Sequence, residues 1–116
     1  MTPFASAART ATGNSGDLKN EQHRGVVVVI NVSAASGTPS VVFTIQGKCP
    51  LSGVYFTLLQ SAAITGVGTT VLRVFPGATA AANLVANDMV PQHWRILATH
   101  ADGDEIVYSC SACLLP

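Results

Sequence analysis

The chain has 116 residues, six basic and six acidic side chains and a mean hydropathy of +0.40; one domain of this length buries roughly two-thirds of the surface its unfolded form exposes. A neutral balance with a pI near 6.8 offers no cationic field to gather phosphates, so nucleic acid is not an expected partner. The longest apolar run, residues 26–30, falls far short of the roughly 20 residues of a membrane-spanning helix, and the opening "MTPFASAARTATGNSG" lacks the basic-then-apolar pattern of a secretory leader. The expected place of synthesis and folding is a cytoplasm.

Residues 1–24 are polar, small and turn-rich, and hold Arg9, Asp17, Lys19, Glu21 and Arg24. They read as an N-terminal arm, with a short strand over residues 4–10 and a loop over residues 13–20. Such an arm is either a partly disordered terminus or a segment that orders against a neighbouring molecule. Residues 25–116 form the domain proper. Residues 26–32 are almost wholly β-branched, as in a strand covered on both sides. After the turn "SAASGTP", residues 40–48 alternate, with Val41, Phe43 and Ile45 on one face. "KCPLSG" precedes a strand over residues 54–60, and residues 62–65 read as a short edge strand before "GVG".

A strand over residues 69–75 leads to "PGATAAANLVANDMVP". Its alanines favour a helical turn or two, but the asparagines and flanking prolines favour a long crossover loop. Strands over residues 94–99 and 105–114 follow, joined by "HADGDE", where Asp102 and Gly103 suit a tight hairpin. Alternation puts Trp94, Ile96 and Ala98 on one side and Ile106, Tyr108, Cys110, Ala112 and Leu114 on another, as core residues. The fold class is therefore all-β: a single antiparallel β-sandwich, jelly-roll or immunoglobulin-like, of seven or eight strands.

Signals for chemistry are weak. Cys110 and Cys113 spell C-x-x-C, but residues three apart in a strand point to opposite faces, and no second pair completes a zinc site. With Cys49 they make an odd number, expected as three free thiols. His93 and His100 stand at opposite ends of one strand, roughly 23 Å apart at ~3.3 Å per residue, and no nucleophile or metal motif surrounds His23, His93 or His100. "DGDE" lacks the spacing of a calcium loop, and "TGVGTT" opens no helix that would cradle phosphate. No catalytic, metal-ligating or cofactor-binding residue is assigned. A carbohydrate- or receptor-binding module is the alternative, and Tyr55 is its candidate platform because Trp94 and Tyr108 belong to the core.

Only 10% of residues are charged, against about 25% in an ordinary soluble domain. A bare apolar strand such as "VVVVI" recruits other strands, so contact with copies or partners is expected.

The blocks "TATGNSGD", "HRGVVVVI", "TIQGK", "SAAIT", "VLRVFPG" and "WRI", spread over residues 8–116, resemble a group of small virion structural proteins of tailed bacteriophages, of the capsid decoration or cement type. The three cysteines depart from that pattern. The resemblance implies a β-sandwich that stabilises a head shell by bridging major capsid protein subunits, works as a trimer or dimer, and resides on the capsid surface of the virion. It would have no cofactor. Arg9 and Arg24 would then pair with capsid carboxylates.

Overall fold

The computed structural model describes residues 2–20 and 22–115. It contains ten strands among those residues: β1 (Phe4–Arg9), β2 (Gly13–Asn14), β3 (Leu18–Lys19), β4 (Gly25–Ala35), β5 (Val41–Lys48), β6 (Tyr55–Gln60), β7 (Gly68–Val74), β8 (Val85–Ala86), β9 (His93–His100) and β10 (Ile106–Leu115). They build two facing sheets. The front sheet runs β1-β10-β4-β7-β8, and the back sheet β2-β9-β5-β6 with β3 also on β9.

The topology is that of one long antiparallel ribbon rolled up. Its tip is the turn over residues 49–54, closed by Cys49 N–H to Val54 O at 2.9 Å and Gly53 N–H to Cys49 O at 2.8 Å. From the tip outward β5 pairs with β6, β4 with β7, β2 and β3 with β9, and β1 with β10. Rolling the ribbon adds the β4–β10 and β5–β9 ladders. Taking β2 and β3 as one position gives eight strands in the order of a jelly roll. This decides between the two expected sandwiches, and β8 is an addition that lies parallel to β7 at Arg73 and Val74.

The inner faces follow the alternation. Val26, Val28, Ile30 and Val32 of β4 face Val41, Phe43 and Ile45 of β5, and all seven are buried. Trp94, Ile96, Ile106 and Tyr108 are buried with them, each large side chain contributing about 1.5–3 kcal/mol by leaving water. Phe4, Phe43 and Tyr108 meet edge to face, at centroid separations of 6.3, 5.8 and 5.0 Å. Gly25 is required where β4 begins, since a Cβ there would sit 2.6 Å from the Val74 carbonyl oxygen.

Four sequence expectations are corrected. Residues 4–19 do not form a separate arm, because β1 completes the front sheet and β2 and β3 complete the back sheet. The cause is Phe4, whose ring is buried in the aromatic trio. Strand β4 is not covered on both sides. Its outward residues Val27 and Val29 are half-buried and Asn31 is exposed, while lateral pairing with β10 and β7 keeps it off the sheet edge.

The third correction concerns residues 101–105, which make no hairpin: β9 and β10 lie in opposite sheets and this segment is the corner between them. Gly103 has no positive φ, and the corner is held by Asp104, whose carboxylate accepts the Thr38 N–H at 2.9 Å. Trp94 and Ile106 thus belong to facing sheets, Trp94 near the ribbon-tip end beside Gly47 and Ile106 at the opposite end beside Ala35. Finally, residues 62–65 contribute only the bridge between Ile64 and Val41.

Candidate functional site

Arg9 and Arg24 were the expected interface residues, and the structure treats them differently. The Arg9 guanidinium donates to the carbonyls of Tyr108 at 2.8 Å, Ala5 at 2.6 Å and Ala7 at 3.3 Å. It also lies over the Tyr108 ring at 4.6 Å and the Phe4 ring at 5.1 Å. These bonds pin β1 to the core, so Arg9 is engaged inside its own molecule. Arg24 is exposed, with no carboxylate partner among the described residues. It stands beside Phe75, Pro76, Gly77 and Leu115 at a cleft of about 440 Å³.

A second polar group lies on the outer face of the back sheet. Asp17, from the bulge between β2 and β3, accepts from Lys48 Nζ at 2.7 Å and from the Tyr55 hydroxyl. Arg95 of β9 donates to Gln46 Oε1 at 2.7 Å and lies 3.6 Å above the Tyr55 ring. The Lys48 ammonium hydrogen-bonded to Asp17, and then the Tyr55 hydroxyl, hold the carboxyl below its ordinary range, while Asp17 raises the Lys48 ammonium in turn. The expected glycan platform is therefore roofed by a guanidinium. The group clamps residues 13–19 over β9, aided by Asn20, whose buried amide donates to Val90 O at 2.8 Å and to His23 O at 2.6 Å.

The other end of β9 places His100 Nε2 3.1 Å from the Tyr108 hydroxyl. Burial pushes the imidazole below its usual pKa, with Asp102 opposing and Arg9 adding to the shift, and burial raises the Tyr108 phenol. His93 sits at the far end of the strand opposite Lys19. The Cys110 thiol is in the core and is pushed up to about 12 by burial, whereas Cys113 is exposed on the outer face. Cys49, half-buried in the ribbon tip, is lowered by its hydrogen bonds to Ser52 and Leu51. Among the described residues no three metal-ligating side chains converge, and no helix is long and apolar enough to cross a membrane.

The outer face of the front sheet carries little charge. Its three central strands present Val29, Asn31, Val71, Ser109, Ser111 and Cys113, half-buried or exposed, and Arg73 is the charge they carry. Alternation in β10 announced its inner face, but β4 read as covered on both sides, so the outward residues of the sheet were readable only once β4 proved half-covered. Asp17, Gln46, Lys48 and Arg95 went unnoticed because their contact joins β5, β9 and the segment between β2 and β3, from distant parts of the sequence. The "SGD" and "IQGK" strings that carry three of them gave no signal of pairing.

By its strand order the protein is a jelly-roll β-sandwich, with the roll's interior filled by side chains. Comparison with family models, curated proteins and solved structures finds no match.

Proposed function

We propose that the protein is a non-enzymatic structural component of a tailed-bacteriophage particle, a decoration or cement protein that lies on the head shell and bridges subunits of the major capsid protein. The observation that carries this reading is the outer face of the front sheet, a surface of small polar and apolar side chains with Arg73 as its charge. With principal extents of 40 × 30 × 21 Å, the broad face is large enough for the ~800 Å² per partner of a stable interface. With Arg73 as the charge of its central strands, little water need be stripped from ions when two proteins close on one another. Two further supports are the sequence blocks that resemble decoration and cement proteins, and the jelly roll itself, which recurs in viral capsid proteins as well as in lectins. Fold alone does not assign function.

Physically, such a protein binds only the assembled shell. Each docked copy adds favourable contact to that state, and mass action then opposes rupture. The test is quantitative mass spectrometry of purified particles, with the protein expected at a copy number comparable to that of the capsid subunit. A few copies per particle would place it in the tail or connector, and absence from mature particles would overturn the reading. Ser111→Arg sets a bulky charge in the middle of the face without touching the core. This variant is expected to melt like the parent, since surface strand substitutions shift stability by no more than ~1 kcal/mol, and to be lost from particles.

A further inference from the structure

The two ends of the roll carry opposite charge, and we propose that they dock head to tail: the acidic corner of one copy against the basic rim at the far end of the next. The acidic end comprises the corners over residues 10–12, 36–40, 61–67 and 101–105. It holds Asp102, Asp104 and Glu105, with Asp102 and Glu105 exposed. Its one arginine, Arg9, is engaged by backbone carbonyls and aromatic rings. The opposite end comprises the corners over residues 22–24 and 75–92 and the ribbon tip. There Lys19, Arg24 and Arg73 are exposed. Among the described residues the acids on that side are Asp17, paired with Lys48, and Asp88, whose carboxylate accepts the Met89 N–H at 2.8 Å.

Shape agrees with charge. The last residues of β10 are flanked by two clefts, one of about 310 Å³ lined by Lys19, Gln22, His23 and Leu114 and the other, already described, beside Arg24 and Leu115. Each is lined by a leucine and a basic side chain. The corner that would enter is narrow: Ala101, Asp102 and Gly103 are exposed, and a Cβ on Gly103 would meet nothing within 4 Å. A second copy is the occupant because the chain supplies both halves of this fit and its net charge is zero, so nothing repels one copy from the next. The contact is heterologous, and repetition closes into a ring or continues as a filament.

Sedimentation of the full chain tests this. Self-association is expected at an ionic strength of about 0.01 M and is expected to weaken at least about tenfold at about 1 M, as the screening length shrinks from ~30 to ~3 Å. The double variants Asp102→Lys/Glu105→Lys and Lys19→Glu/Arg24→Glu should each be monomeric at low salt, and mixing them should restore association, because each then offers the end the other lacks. Should either fail to fold, Asp102→Asn/Glu105→Gln and Lys19→Gln/Arg24→Gln are expected to weaken association without the rescue. A monodisperse parent at every salt and concentration, variants that associate like the parent, or a mixture that stays monomeric would each overturn the proposal. The result is separable from the capsid reading, since a protein that self-associates but is missing from particles sinks only that reading.

Discussion

At the scale of single residues, Trp94 and His100 make opposite demands on β9. Trp94 is fully buried, and its indole N–H has no acceptor among the described residues. The ring's packing must therefore outweigh a polar atom left dry, a cost of about 1–3 kcal/mol. Trp94→Ala is expected to lose about 3–5 kcal/mol in a urea titration, a large share of a small domain's stability. Ile106→Asp, which buries a charge at the other end of the same core, should abolish the cooperative transition.

His100 titrates against burial. Its folded pKa lies below the ordinary histidine value of about 6.5, so the unfolded chain binds the extra proton first as pH falls. Its contribution is complete above pH 6.5 and is lost as pH descends from there through the folded value. The urea midpoint should decline over that window, and His100→Gln, which cannot titrate, should decline less, with Tyr108, Asp102 and Arg9 left in place around the site. Equal declines would show that other groups govern the acid limb.

At the scale of elements, β1 decides whether the N-terminal residues belong to the fold. It is the outermost strand of the front sheet, its register shifts between Phe4 and Ala7, and three anchors hold it: the Phe4 ring in the trio, Arg9 across Phe4 and Tyr108, and the ladder to β10. Phe4→Ala removes the first and weakens the second, and a loss of about 3 kcal/mol is expected. Amide exchange in β1 and β10 should quicken together in that variant. Exchange confined to β1 would show a strand that frays on its own. The same element explains how so lightly charged a protein limits strand recruitment. The outer strands β1 and β6 carry register shifts and β2, β3 and β8 are two residues long, which blunts edges as lysines do elsewhere.

At the scale of the whole molecule, the ribbon pairs the first strand with the last and the second and third with the ninth. Loop-closure entropy is therefore met before most native contacts can form, and folding should be slow for the chain's length. The roll also gathers its corners at two ends and leaves two broad faces. This partition leaves one broad face with Arg73 as the charge of its central strands and gathers most of the other charged side chains toward the two ends.

The sequence by itself determined the long strands and, where side chains alternate, their inner faces. Period-two alternation in residues 41–48, 94–98 and 106–114 is local, and burial of alternate side chains needs no knowledge of the partner strand. It also determined the shortage of charge, from which the expectation of partners followed. Only the tertiary structure decided that β9 and β10 face each other across the core, because alternation marks a face without saying whether the next strand lies beside it or opposite. Likewise it alone placed residues 4–19 in both sheets and joined Asp17 to Lys48 and Tyr55, since contacts between remote segments are set by how the ribbon rolls, and a single chain's local pattern holds no record of that.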